Sequence, residues 1–247
     1  MKVATWNVNG IRARHTQFAE WVAAAQPDVI CLQEIKARID QVPQTCFTEG
    51  YTCYWHGGGG YSGVALHVRQ ALAPQIEFTH PEFDHENRIV QAQIEDTVFT
   101  SVYVPNGGKD FDAKIAFINS LIDYAADIRR RGLKLVLSGD MNIARTEMDV
   151  HPKERKPRTI GQLPQERELL EKLIAQGLVD VGRALNPTDE NYFSWWAPWR
   201  NMRERNIGWR LDYILASEEL AKRAVSCPVF REIGTSDHGP VVATFED

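Results

Sequence analysis

KLVLSGDMN, residues 134–142, decides how the chain is read. Its aliphatic run has the length and content of a buried strand, and it passes through Gly139 straight into Asp140 and Asn142. In an extended segment those two side chains share a face, so an acid and an amide are offered together where an apolar strand stops. A single strand-end carboxylate is usually just solvated. Here the pattern repeats: VATWNVNG (3–10) delivers Asn7 and Asn9, DVICLQE (28–34) Glu34, and FTSVYVPN (99–106) Tyr103 and Asn106. GWRLDYIL (208–215) carries Asp212, and TSDHGP (235–240) carries Asp237 and His238. Several strands each ending in an acid, an amide or a histidine predict convergence on one polar cleft, as a metal-assisted hydrolase requires.

Phosphodiester cleavage explains these residue types. The substrate's negative charge repels hydroxide, and the leaving oxygen gathers more; a divalent cation offsets both. Glu34, Asp237, Asn7 and Asn9 offer the oxygen donors that a hard ion such as Mg2+ prefers. Asp140 is placed to orient and deprotonate the attacking water, and His238 to donate to a phosphoryl oxygen if Asp212 holds its other ring nitrogen.

The motifs WNVNGIRA, LQEIKA, YVPN, GDMN, LPQER, GWRLDY and SDH follow one another in the order found in the exonuclease III family of apurinic/apyrimidinic endonucleases, which the chain resembles from Lys2 to about Phe245. The resemblance implies an α/β fold of four layers, two mixed β-sheets face to face with helices outside: the endonuclease/exonuclease/phosphatase fold. It implies metal ligation by Asn7 and Glu34, with Asp140, Asn142, Asp237 and His238 lining the same ion or a second one. Mg2+ is the expected cofactor, with Mn2+ as a substitute. Tyr103 matches the active-site tyrosine, Asp140 the water-activating aspartate, Asn142 the transition-state stabiliser, and Asp212 the partner of the histidine. Asn9 stands where some members carry aspartate, which leaves one ion or two open. Lys109, near a position where some relatives place an arginine on DNA, keeps the charge without the fork geometry. The implied activity is cleavage of duplex DNA 5′ to abasic sites, leaving a 3′-hydroxyl, with 3′ to 5′ exonuclease or 3′-phosphodiesterase activity on damaged 3′ ends. Another phosphoesterase of the same superfamily is one alternative, against which GWRLDY and its tryptophans argue. A non-catalytic damage-binding protein is the other, and it predicts a broken site.

The 247 residues read as a single nuclease domain, and 43% hydrophobic with 25% charged residues is the balance of a soluble globular protein. The start MKVATWNV shows neither a basic leader nor a long apolar stretch, so no signal peptide or membrane span is expected. Cys31, Cys46, Cys53 and Cys227 lack CxxC spacing and read as free thiols in a reducing cytosol; a cytoplasmic monomer is expected. His15, His56, His67, His80, His85 and His151 show no helical metal-ligand spacing and read as structural or surface residues.

A net charge of −5 opposes DNA binding by the chain as a whole, which throws the weight onto local runs. Lys153, Arg155, Lys156 and Arg158 form one, and Arg200, Arg203, Arg205 and Arg210 another; each can track phosphates or be an ordinary solvated face. Arg129 to Arg131 with Lys134 instead suit a helix C-terminus before Gly132. Trp195, Trp196, Trp199 and Trp209 lie among the second run, either as core or as the wall and wedge of a pocket for an extruded abasic sugar. Trp209 and Leu211 alternate on an extended segment and can face such a pocket while Asp212 faces the ion. Gly57 to Gly60 lack a following GK[ST] and are no nucleotide loop; a hairpin turn or a close approach to DNA suits them.

Strands are expected over 3–8, 29–33, 52–56, 63–68, 89–94, 97–104, 134–139, 209–216 and 240–246, and helices over Phe18–Ala25, Ala113–Arg131 and Gln165–Gln176. In the second helix Ile115, Ile118, Ile122 and Ala126 mark the apolar face. Each half of the chain pairs a strand ending in an acid with later site residues, a faint sign of duplication.

Overall fold

The computed structural model describes residues 1–246. In its first half β1 (Lys2–Asn7), α1 (Ile11–Ala25), β2 (Val29–Gln33), β3 (Tyr51–His56), β4 (Val64–Arg69), β5 (Phe78–Thr79), β6 (Ile89–Ile94) and β7 (Thr97–Tyr103) follow one another. Then come α2 (Phe111–Arg130), β8 (Lys134–Asp140), α3 (Pro164–Ile174), β9 (Leu178–Asp180), α4 (Val181–Leu185), β10 (Asp212–Ser217), α5 (Glu218–Ala221), β11 (Ala224–Ser226) and β12 (Val241–Phe245).

These strands make two six-stranded sheets, ordered β11-β12-β1-β2-β4-β3 and β5-β6-β7-β8-β10-β9. Both are mixed: β1 with β2 and β7 with β8 run parallel, and the remaining neighbours antiparallel. Period-two alternation sorts the side chains. Val3, Val29, Cys31 and Leu66 of one sheet meet Val90, Phe99, Val136 and Ile214 of the other in the central core. Ala4, Trp6, Ile30 and Leu32 point the opposite way, onto Phe18, Trp21 and Val22 of α1. On the far side Val98, Val102, Leu135 and Leu137 pack on Phe117, Ile118 and Leu121 of α2 and on Leu169, Leu170 and Leu173 of α3. Helix, sheet, sheet, helix is the layering expected. Burying each of these large aliphatic or aromatic side chains stabilises the fold by about 1.5–3 kcal/mol relative to exposure.

Local departures have local causes. The first helix begins at Ile11 rather than Phe18, because Gly10 at φ 96 turns the chain and the Ile11 amide bonds the Ile35 carbonyl. The strand expected from Trp209 begins only at Asp212: the Arg210 amide goes to the Asp149 carbonyl, and Trp209 exchanges backbone bonds with Trp195. Along α2 the fully buried face is Lys114, Phe117, Ile118, Leu121, Ala125 and Ile128, with Ile115 and Ile122 on its margin. Arg129 and Arg130 occupy its last turn before Gly132, and Pro164 opens α3, both as expected. The short edge strands β5, β9 and β11 carry too little periodicity to stand out in sequence.

The parallel pairs set up the site. Registers Asn7↔Gln33 and Tyr103↔Asp140 bring the carboxyl ends of β1, β2, β7 and β8 to one edge, and Asp212↔Asp140 puts the start of antiparallel β10 beside them. With Thr5 opposite Val241, the loop before β12 arrives at the same edge carrying Asp237 and His238.

Candidate active site

Asn7 points between the sheets, and its amide nitrogen donates to Glu34 Oε1 and to Asp140 Oδ2, both at 2.9 Å. One side chain from β1 thus joins a carboxylate of each sheet. Tyr103 donates its hydroxyl to the same Glu34 oxygen at 3.0 Å. Burial first, and then the charges of Glu34 and Asp140, hold that phenol far above its ordinary value, so it remains a donor. Burial pushes the Glu34 carboxyl up, but the hydrogen bonds from Asn7 and Lys36 and the charges of His238 and Lys36 outweigh it and keep the group ionised.

Asp140 is 1% exposed and accepts the Asn142 amide at 2.8 Å, with Asn142 Nδ2 at 3.3 Å. Burial, with Asp212 and Glu34 nearby, raises its pKa against the opposing charge of His238. His238 is its counterpart. Burial disfavours the imidazolium, but the charge and hydrogen bond of Asp212, then Asp140 and Asp237, more than compensate, so its pKa rises. Its Nδ1 is 2.8 Å from Asp212 Oδ2, and its Nε2 is 3.9 Å from Asp140 Oδ2. Ser194 fixes Asp212 from behind: its hydroxyl donates to Oδ2 at 2.6 Å and accepts the amides of Leu211 and Asp212. Asp212 Oδ1 is buried without a hydrogen-bond partner among the described residues.

Asp237 lies one contact further out, its oxygens bound by Asn9 Nδ2 at 2.8 Å and Trp195 Nε1 at 2.9 Å. Burial raises and His238, Trp195 and Asn9 lower its pKa, with a net fall. Ligand atoms of Glu34, Asp140 and His238 all lie within 4.8 Å of one another. With the Asn7 amide beside them, this oxygen-rich, anionic set fits a divalent metal ion, and Glu34 and Asp140 are the residues that would hold it.

Two grooves border the site. One, of about 560 Å³, runs past Trp199, Arg203 and Thr235 to Asp237. The other, of about 730 Å³, runs past Tyr61, Lys109 and Arg88 to Tyr103 and Asn106. The Asn106 amide donates to Asn142 Oδ1 at 3.3 Å, and Lys109 is exposed with its ammonium over the Tyr61 ring. Lys156 and Arg158 are exposed and, like Arg200 and Arg205, have no ion-pair partner among the described residues. Trp209 is half-buried and meets Trp195 edge to face at 5.5 Å. Gly161, at φ 90, makes room for its ring, since a β-carbon there would lie 3.1 Å from the indole. Leu211 is 6% exposed, and Trp196 belongs to a small core with Phe193, Met202 and Ile207; Trp199 is 58% exposed.

Arg210 is a correction. Expected on DNA, it is 1% exposed and locked inward, bidentate on Asp180 at 2.8 Å and on Asp149 at 2.7 Å. Two buried carboxylates need that charge more than solvent does. Arg203 likewise turns in, donating to the carbonyls of Arg231, Ile233 and Ser236.

Sequence reasoning missed several supporting residues. Lys36 bridges Glu34 Oε2 at 2.6 Å and Asn9 Oδ1 at 2.7 Å. Buried Lys114, paired with Glu166 at 2.5 Å, donates to the Asn142 carbonyl at 2.8 Å. Arg88 lies over the Tyr103 ring, 4.8 Å from its centroid. Lys36 and Glu166 do sit inside LQEIKA and LPQER, the one signal that could have found them; Ser194 and Lys114 had none.

The Endonuclease/Exonuclease/phosphatase family matches residues 4–238. Exodeoxyribonuclease III of Haemophilus influenzae is 35% identical, the alignment spanning 100% of both chains. An AP endonuclease from Archaeoglobus fulgidus superposes with a TM-score of 0.90 at 29% identity over 100% of both chains. A point variant of the 3′ phosphatase NExo from Neisseria, bound to a product DNA hairpin, gives 0.91 at 31% identity over 100% of this chain and 99% of its own.

Proposed function

Because the chain belongs to the endonuclease/exonuclease/phosphatase family, and within it to the exonuclease III-type DNA repair nucleases, we propose that it hydrolyses the phosphodiester 5′ to abasic sites in duplex DNA and leaves a 3′-hydroxyl. Removal of nucleotides or blocking groups from 3′ ends is the companion activity. What carries this reading is the line Asp212, His238, Asp140, with Glu34 and Asn7 alongside: a buried acid hydrogen-bonded to an imidazole whose other nitrogen faces a second buried carboxylate at 3.9 Å, with Asp237 and Tyr103 beside them each lining a groove.

In the proposed mechanism Asp140 takes the proton of the attacking water, its raised pKa suiting a base that must hold a proton briefly. Asn142 is fixed beside it to donate to the phosphoryl oxygen as charge builds there. His238, kept cationic by Asp212, donates to a second phosphoryl oxygen through Nε2, a role better suited to it than metal ligation. Tyr103 keeps its proton and orients Glu34. A Mg2+ ion held by Glu34 and Asp140 would supply charge for the leaving oxygen.

Trp209, Trp195 and Leu211 form the proposed wall for the extruded sugar. Lys156, Arg158, Lys109 and Asn106 are proposed to hold the flanking backbone, and the enzyme to act as a cytoplasmic monomer. The experiment compares nicking of a duplex bearing an abasic analogue with digestion of a recessed 3′ end, each with Mg2+ and with EDTA. Metal-dependent nicking on the 5′ side is the expected result. Absence of nicking beside active 3′ digestion would overturn the abasic assignment, and activity persisting in EDTA would overturn the metal.

A further inference from the structure

Beside the second groove, whose lining includes Phe83 and His85 on either side of Asp84, three residues meet. They are His56 at the end of β3, His80 just after β5, and Asp84 in the turn leading to β6. We infer that His56, His80 and Asp84 form a second metal site, for a late first-row divalent cation such as Zn2+, that clamps the segment 80–89 onto the first sheet.

Geometry is the first ground. Donor atoms of the three lie within 4.8 Å of one another. Asp84 Oδ2 is 2.5 Å from His56 Nε2 and 3.8 Å from His80 Nδ1. The two imidazoles stack with centroids 3.8 Å apart at 26°. As a pair of cations they would repel at that distance; as two ligands of one ion they suit it.

Donor chemistry is the second. Two imidazoles and one carboxylate select zinc and its neighbours over Mg2+, whereas the catalytic cluster is oxygen-rich and selects the reverse. The two sites therefore sort ions by type. Asp84 is ionised: burial raises its pKa, but the hydrogen bond from His56 and the amides of Arg88 and Ile89 overcome it.

Outer support is the third, since metal ligands are oriented by the bonds their other atoms make. Asp84 Oδ1 accepts the amides of Arg88 at 2.8 Å and Ile89 at 3.2 Å. His80 Nε2 is 2.9 Å from the Tyr54 hydroxyl and its Nδ1 3.1 Å from the Ile89 carbonyl. Ligation through Nδ1 moves the ring proton to Nε2, where the Tyr54 oxygen accepts it; the cost is one donor to Ile89. All three ligands are half-buried, leaving an open side for water as the remaining ligand.

The clamp bears on the catalytic edge indirectly. The Arg88 carbonyl accepts the Tyr103 amide at 2.8 Å, so the segment tied down by Asp84 continues into the strand end that carries Tyr103.

With Mg2+ in excess to occupy the catalytic carboxylates, zinc titrated into the wild-type protein by calorimetry should bind in one equivalent and raise the melting temperature by several degrees. The double variant His56→Asn, His80→Asn should lose that equivalent and that rise while keeping Mg2+-dependent nuclease activity. Equal zinc stoichiometry in both proteins, or zinc wholly displaced by Mg2+, would overturn the site. Should the variant fail to fold, imidazole nitrogen resonances of the wild type decide: zinc must shift those of His56 and His80 and leave His15 and His151 in place, and unmoved His56 and His80 signals reject the proposal.

Discussion

His238 Nδ1 lies 2.8 Å from Asp212 Oδ2 in a pocket where His238 is 4% and Asp212 2% exposed. With so little water to share the charge, the carboxylate sets the protonation of the ring. Asp212→Asn should lower turnover by about two to four orders of magnitude. A raised folded pKa means that His238 is charged below that value and discharged as pH climbs through it, so loss of Asp212 should move the alkaline fall of the pH–rate profile to lower pH. An alkaline limb that stays put would separate the two residues.

Glu34 gathers Asn7, Tyr103 and Lys36 on its two oxygens. Glu34→Ala should retain the fold, lose most activity at limiting Mg2+, and regain part of it as Mg2+ is raised. Full activity at limiting Mg2+ would remove Glu34 from the ligand set.

Trp209 is held by backbone bonds to Trp195, and these survive truncation of its ring. Trp209→Ala should therefore impair abasic incision more than 3′-end digestion, by roughly a hundredfold if the scissile phosphate shifts by about 1 Å. Equal losses in both activities with a lowered melting point would make Trp209 a packing residue only.

Arg210 and the pair Lys156 and Arg158 should fail in opposite ways. Arg210→Met removes the buried charge shared by Asp149 and Asp180 and leaves them only Arg183 and Arg145, at a cost of about 3–5 kcal/mol. Charge removal at Lys156 and Arg158 should leave stability unchanged, weaken DNA binding and flatten its dependence on salt. Denaturant melts and binding at several salt concentrations distinguish them; an unchanged salt slope in the Lys156 and Arg158 variant would take that loop off the phosphates.

His67 is fully buried against Trp55 and Phe18, with neither ring nitrogen bonded among the described residues, and burial pushes its pKa down from 6.5 to about 3. The unfolded chain takes up a proton below 6.5 that the folded chain refuses, so stability should fall with decreasing pH across the interval from 6.5 to 3. The full slope is about 1.4 kcal/mol per pH unit. His238, whose folded value is raised, adds no slope at pH 5, where it is charged in both states. Urea unfolding at pH 7 and pH 5 should show the loss in the wild type and less of it in His67→Phe; identical losses would exclude His67 as the cause.

What the sequence disclosed and what it hid divide along physical lines. Asn7, Glu34, Tyr103, Asp140 and Asp212 were legible because each closes or opens a strand whose apolar period is strong. Arg210 was misread because a basic residue in a basic run gives no sign that Asp149 and Asp180 wait in the interior. Ser194 and Lys114 act on site residues far along the chain, through contacts that only the packing of two sheets creates. His56, His80 and Asp84 were passed over for the same reason: His56 closes β3 in one sheet, and only the packing of the turn between β5 and β6 against it brings His80 and Asp84 to its side.

The pairing of β1 with β12 has a consequence for the life of the molecule in the cell. Asn7 and Glu34 are made early, whereas Asp237, which holds Asn9, and His238, which faces Asp140, are made more than two hundred residues later. A growing polypeptide on the ribosome therefore holds no working centre until residue 238 has emerged and folded back beside β1. A truncated translation product that reaches only β10 carries Asp140 and Asp212 but no imidazole between them. A nuclease chain that stops short of residue 238 thus lacks its imidazole, without an inhibitor to keep it so.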